Sequence, residues 1–418
     1  MAFNFLNRLR NLSSPEVREE DEGSPVDEEE GDVDAESDIE FECGDGESGE
    51  ESDGTEGLDL DLDLDPSNEE QNGPFPWSST LHNVEVELFT QRTGPNLDLF
   101  DLDYTANPID FFHLYIPDSF MKLVADQTNL YATQVGAPAS FKTVTPDDIS
   151  KYFYINMMFG IHKLPNYLLY WSSDPLLRVS AVAEVMSRNR YQTISRFFHL
   201  SDRDTFIPRG EEGHDPLHKI KPASDLVLRA SHYSPGAALS IDEAMIPFQG
   251  RLYSKQYIKG KPNPWGVKVW CLCDAKNGYL CDFSFYTGKE NTPMPKGLGH
   301  HVVMSLGSRF LYKFHHFYFD NFFSSVQLAH DLLERSTYSC ATVRVNRKHW
   351  PSQLKGNIKP GECFWRQFGN IIACWWRDKR PLFMISTNAS PTMSPTDRRT
   401  KTFLSMCCTT TLTWEVWT

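Results

Sequence analysis

From residue 108 onward, apolar side chains recur at the spacing of one helical face. Ile109, Phe112, Ile116, Phe120, Leu123 and Val124 fall three and four residues apart, with Phe111 and Leu114 between them. Asp118 or Ser119 can cap a second helix in this run. Thr145-Pro146-Asp147-Asp148 opens a third, with Thr145 as N-cap, Pro146 in the first turn and acids facing the positive helix end. Its body runs through Tyr152, Phe153, Ile155, Met158 and Phe159. A further helical stretch over 180–199 carries Val182, Val185, Met186, Tyr191, Ile194, Phe197 and Phe198. Residues 108–205 therefore read as an all-helical unit, and order is expected to begin near Pro108. Arg188, Arg190 and Arg196 on it either touch phosphates or line a solvated face.

The period changes near Ala237. Residues 237–245 and 265–274 are strand-like apolar runs, and Lys276-Asn277-Gly278 is a turn signal that returns 279–286 as a hairpin partner. Residues 316–320 form a short aromatic strand, followed by an amphipathic helix over 324–335 with Val326, Leu328, Leu332 and Leu333. Further strands are expected at 338–345, 363–368, 371–377 and 381–386. Strand, hairpin, strand, helix, strand is an α/β order.

Composition changes the picture at the N-terminus. Residues 15–73 are mostly Glu, Asp, Ser and Gly, which cannot bury enough apolar surface to offset the entropy of ordering, so an acidic disordered tail is expected over 1–75. Residues 1–70 hold 27 acids and 3 bases, while the remainder holds 30 acids against 37 bases. The net charge of −17 thus hides a mildly basic body, and such asymmetry suits either nucleic-acid handling or a merely solvated basic surface. Nine scattered cysteines with no secretory signal ahead of them point to a reduced, intracellular chain. No stretch is apolar enough to cross a bilayer as a helix.

Two acids stand out by position. Asp242, in Leu239-Ser240-Ile241-Asp242-Glu243-Ala244-Met245, is expected at the end of an apolar strand, and Asp320, after Phe317-Tyr318-Phe319, at a strand terminus facing the start of a helix. A carboxylate there is costly to bury unless it is paired, and a divalent cation is one partner. Phosphoryl transfer on DNA uses such acids, because hard oxygen ligands on rigid elements hold the ions that clamp the attacking and leaving oxygens. The alternative is that each aspartate caps its strand or the next helix, and both readings stand at this point. Arg251, Lys255, Lys259, Lys261 and Lys268 follow the first acid, interleaved with Tyr253, Tyr257 and Trp265; Arg344, Arg347 and Lys348 follow the second. Basic groups mixed with aromatics suit a DNA groove with room for stacked bases. Cys271, Cys273 and Cys281 lack the paired ligands of a zinc site and read as core thiols. Of His315 and His316, one is expected to face the core.

The blocks 240–251 (SIDEAMIPFQGR), 257–262 (YIKGKP) with Gly266 and Lys268, 318–325 (YFDNFFSS), 342–348 (TVRVNRK), 376–380 (WRDKR) and 385–388 (ISTN) resemble those of piggyBac transposable-element-derived proteins. The resemblance runs from about 108 to 399. It implies an RNase H-like catalytic core over 236–400, interrupted by a β-rich insertion, behind a helical dimerisation and DNA-binding region over 108–235. It implies cut-and-paste transposition of double-stranded DNA at TTAA targets through hairpin ends, with Mg²⁺ as cofactor, a homodimer and a nuclear location. Asp242 and Asp320 match the first and second catalytic, metal-binding acids.

The departure is at the C-terminus. The family continues into a block resembling Tyr-Asn-x-Tyr-Met-Gly-Gly-Val-Asp, whose last residue is the third acid; residues 402–418 match nothing in the family. Back-translated and read one base out of frame, 409–418 is compatible with that block, so a frameshift between about Arg399 and Met406 is inferred and 401–418 is expected to be aberrant. Asp378 and Asp397 are poor stand-ins. The expectation is a transposase-derived DNA-binding chain without strand cleavage. The alternatives are a domesticated nuclear DNA-binding or interaction protein, and a nuclease that recruits another acid.

Overall fold

The computed structural model describes residues 74–96, 105–229, 232–248, 250, 252–259, 261, 263–288, 293–377, 380–391, 393–395 and 402–404. The acidic segment before residue 74, Arg251, Asp378, Asp397 and residues 405–418 lie outside the described residues.

The helical unit contains α1 (Pro108–Tyr115), α2 (Asp118–Gln134), α3 (Pro146–Ile161), α4 (Arg188–Phe197) and α5 (Lys221–Arg229). Helix α3 begins with a reciprocal cap: the Asp148 amide donates to Thr145 Oγ1 at 3.2 Å and the Thr145 amide donates to Asp148 Oδ2 at 2.9 Å. Such a cap satisfies two of the amides that have no partner in the first turn and contributes about 1 kcal/mol. The single helix expected over 180–199 is two pieces, Ser180–Ala183 and α4. Ser187 breaks it by capping α4, accepting from the Arg190 amide at 3.3 Å. Val124, Ile149, Tyr152, Phe153, Ile155, Tyr191 and Ile194 are fully buried together. All but Ile149 are among the apolar positions whose period predicted the helices.

The second unit is a nine-stranded mixed sheet. Its main strands are β1 (Ala238–Pro247), β2 (Trp265–Asp274), β3 (Leu280–Phe285), β4 (His316–Phe319), β5 (Tyr338–Thr342), β6 (Cys363–Phe368), β7 (Ile371–Arg377) and β8 (Pro381–Ser386). Side by side they run β3-β2-β1-β4-β5-β8-β7-β6, and a short strand Gln256–Tyr257 pairs the start of β2. Strands β1 to β3 are antiparallel, whereas β4 is parallel to β1 and β5 is parallel to β4. Helices α6 (Leu298–Leu306) and α7 (Val326–Leu333) connect the parallel strands, and their buried Val302, Val303, Leu306, Val326, Leu328 and Leu332 join Leu239, Ile241, Phe317 and Phe319 in the main core. The β-rich segment extends this same sheet, because β8 pairs β5 from Met384–Thr342 to Ser386–Cys340. The architecture is mixed α/β.

Order begins earlier than the sequence suggested. Residues 74–96 pack on the sheet: Phe75 is buried against the rings of His330, His349 and Phe368. Trp77 Nε1 donates to the His349 carbonyl at 3.0 Å, and the His82 amide donates to Gln367 Oε1 at 2.7 Å. The segment has no internal period to read, since its order comes from distant partners: the sheet more than 250 residues away for Trp77 and His82, and Tyr233 and Ser234 for Gly94 and Pro95.

Candidate metal-binding acids and nucleic-acid interface

Leu239 and Ile241 point into the main core, and each next residue along β1 faces the other side of the sheet. Ile241 on β1 is the register partner of Phe319 on β4, and each is followed at once by an aspartate. Asp242 and Asp320 therefore stand at matching positions of adjacent parallel strands, whose backbones lie roughly 4.8 Å apart. Asp320 follows the end of β4 as expected, but Asp242 lies inside β1, which pairing with β2 carries on to Pro247. A parallel pairing of strands more than 70 residues apart in the chain brings the two acids together.

Few donors meet these carboxylates. The Glu243 amide donates to Asp242 Oδ1 at 2.8 Å, and the Phe322 amide donates to Asp320 Oδ1 at 2.9 Å. Burial pushes Asp242 up to about 7, the charges of Glu243 and Asp320 push the same way, and the Glu243 amide and the Lys261 ammonium pull back. Burial also raises Asp320; the amides of Phe322 and Phe323 and the Arg344 guanidinium oppose this, and the charge of Glu243 adds to it. Two half-buried carboxylates that repel each other form a hard-oxygen donor set suited to a divalent cation. Mg²⁺ or a similar ion therefore fits the residues present.

Glu243 is a third carboxylate in this electrostatic cluster. It lies in the motif 240–251, where nothing local in the sequence sets it apart from its neighbours. It ion-pairs with Lys261 at 3.4 Å. Its register partner is Trp270, whereas that of Asp242 is Cys271, so the two neighbouring acids face opposite sides of the sheet. Lys268 lies at the same site, its Nζ 4.0 Å from the Trp270 ring centre and 4.9 Å from that of Phe322. Burial lowers its proton affinity, while Glu243, Asp320 and Asp242 favour its charged form.

The other basic residues take different places. Arg344 Nε donates to Asn321 Oδ1 at 3.3 Å, and Arg347 Nη2 donates to the carbonyls of Asn321 and Phe322 at 3.0 and 2.8 Å. These two arginines hold the loop that follows Asp320. Gly299 of α6 lets that loop approach closely, because a Cβ there would stand 2.8 Å from the Phe322 carbonyl oxygen. Lys255 lies over Trp265 at 5.2 Å, beside Tyr253 and Tyr257, which are half exposed like Trp265. Arg209, from the helical unit, stacks over Tyr253 at 4.7 Å. Lys259 and Lys348 are exposed, and Arg251 lies outside the described residues.

A second group able to approach a metal is His330, Asp331 and Glu334 on and just after α7, with ligand atoms within 4.8 Å of one another. Asp331 is already occupied: its Oδ2 accepts from Lys296 Nζ and His300 Nε2, both at 2.6 Å, and its Oδ1 accepts from Gln327 at 2.8 Å. Two side chains reaching from the start of α6 thus tie that helix to α7. Elsewhere His315 is the core-facing histidine, held by burial down to about 4. Cys271, Cys273 and Cys281 are buried thiols raised by burial.

The family model described as Transposase IS4 matches residues 107–405. The chain belongs to this transposase family. Within it the likeness is to piggyBac-type proteins. Human piggyBac transposable element-derived protein 3 is 29% identical over 311 residues, covering 71% of this chain and 50% of that protein. Human piggyBac transposable element-derived protein 2 is 26% identical over 295 residues, covering 65% and 47%. A piggyBac transposase solved by cryo-EM as a synaptic complex with hairpin DNA shares the fold, with a TM-score of 0.67 at 23% identity over 78% of this chain and 69% of that one. The chain spans about half the length of these curated human relatives.

Proposed function

We propose that this piggyBac-type chain is a nuclear DNA-binding protein whose Asp242 and Asp320 hold a divalent cation, Mg²⁺, without supporting strand cleavage. The observation that carries the reading is the parallel register that sets these two acids side by side at the end of β4. The strand order β3-β2-β1-β4-β5, three antiparallel strands followed by two parallel ones, supports an RNase H-like core in which such acids serve phosphoryl transfer. A bound Mg²⁺ there would polarise a phosphoryl oxygen and offset charge developing on it. A two-ion displacement asks for more carboxylate than this pair. Among the described residues, the further acid acting on both is Glu243, which is engaged by Lys261 and faces the other side of β1. The proposed partner is double-stranded DNA carrying transposon ends or TTAA sites, met by Lys255, Lys259, Lys348 and the exposed Tyr253, Tyr257 and Trp265, with a homodimer as the binding form.

Fluorescence anisotropy with TTAA-flanked hairpin DNA over a salt series tests the DNA reading, and incubation of the same DNA with Mg²⁺ or Mn²⁺ tests the chemistry. Binding is expected to weaken steeply with salt, with a log–log slope set by the number of phosphates neutralised. No cut product is expected. Product that disappears in Asp242→Asn would show a working nuclease, and salt-independent or absent binding would remove DNA as the partner.

A further inference from the structure

We propose that Cys363 and Cys374 are a reversible oxidation site, at which a peroxide converts two thiols into a disulfide joining β6 to β7. The two strands form an antiparallel hairpin at the sheet's outer edge, in which Cys363 lies opposite Trp376 and Cys374 opposite Trp365. The cysteines are thus diagonal neighbours on one face, and their sulfurs are 3.3 Å apart. Forming a bond of about 2.05 Å from there needs an approach of roughly 1.3 Å.

Exposure separates this site from the other cysteines. Cys271, Cys273, Cys281 and Cys340 are buried, and burial raises the first three thiols, which keeps them protonated and inert. Cys363 is the one half-exposed cysteine among the described residues, so a small oxidant reaches it first. The Cys363 thiolate attacks one oxygen of hydrogen peroxide, the O–O bond breaks, and hydroxide leaves to be protonated to water, giving a sulfenic acid. The Cys374 sulfur then attacks the Cys363 sulfur, the S–O bond breaks, and a second water leaves with the thiol proton. The thiols lose two electrons and the peroxide gains two. A dithiol reductant reverses the bond by exchange.

The hairpin also carries Gln367, which pairs with Ser78 and accepts from the His82 amide. Stapling it would therefore rigidify the platform on which residues 74–84 rest. The test treats the full chain with a small excess of hydrogen peroxide, alkylates remaining thiols, and maps tryptic peptides without reduction. Arg366 lies between the two cysteines, so the disulfide joins peptide 356–366 to peptide 367–377. The joined species is expected to be two hydrogens lighter than the sum of its parts. It should vanish with dithiothreitol and be missing in Cys363→Ser, and amide exchange in β6 and β7 should slow when it forms. Recovery of both cysteines singly alkylated, arrest of Cys363 as a sulfinic acid, or pairing of Cys363 with another cysteine would each overturn the proposal.

Discussion

Two acidic sites on one sheet-and-helix unit, Asp331 buried and Asp242 half-buried, handle their charge in opposite ways. Asp331 on α7 accepts from Lys296, His300 and Gln327, and these bonds overcome the cost of its burial and hold it down to about 2. Asp242 has a neighbouring amide, two acidic neighbours and a lysine engaged by one of those neighbours, and burial leaves it near 7. The first site is a finished tie between α6 and α7. At the second the fold disfavours the charged form of Asp242 and supplies little to relieve it, the environment in which the cation proposed above would act. Proximity of ligand atoms alone would have ranked them the other way, since among the described residues the group around Asp331 is the one dense enough to resemble a metal cage. Satisfied hydrogen bonds mark Asp331 as a structural acid.

The contrast can be broken most directly at Asp331. Asp331→Ala leaves His300 and Lys296 without their acceptor, and a loss of about 3 kcal/mol in urea unfolding is expected, as for a broken buried ion pair. A loss close to zero would mean that the tie carries no stability. Next in size is the pH dependence without divalent ions, where the two sites have opposite signs. Asp331 has a depressed proton affinity, so its contribution is present above about pH 4 and disappears as pH falls through about 2. Asp242 has a raised affinity, so the folded state is favoured most below about pH 4, and stability falls by on the order of 3 kcal/mol as pH climbs through about 7. Unfolding curves from pH 3 to 9 in chelator, flat across the neutral range, would contradict the assignment.

Asp242→Asn sharpens the same point. Removing an acid normally costs stability in a paired site, yet here a gain of about 1 kcal/mol is expected at pH 8 in chelator, because the buried repulsion goes with it. Mg²⁺ or Mn²⁺ should raise the melting temperature of the parent chain and leave that of the variant unmoved. Equal shifts in both would place the ion elsewhere. The smallest effect belongs to Lys261→Met. Its half-exposed pair with Glu243 is worth only about 0.5 kcal/mol, but with that positive charge gone Asp242 is raised further, so the loss of stability should be larger and run on to higher pH. An unchanged profile would show that Lys261 does not act on Asp242.

The helical caps, the strand runs and the positions of Asp242 and Asp320 were legible in the sequence, because each depends on residues only a few positions apart. Thr145 with Asp148 is a local cap, and an acid closing a run of apolar strand residues is a local anomaly. The split at Ser187 was missed because a serine inside an apolar period looks like any polar position until its hydroxyl caps a new helix. The order of residues 74–96, the engagement of Glu243 by Lys261, and the contrast between Asp331 and Asp242 were decided by tertiary structure alone. So was the meeting of the two acids, which follows from the parallel pairing of β1 with β4. The physical reason is the reach of the interactions. Helix and strand periods and caps act within one or two turns of chain, whereas burial, repulsion between carboxylates and the hydrogen bonds that relieve it depend on which distant strands the folded sheet places side by side.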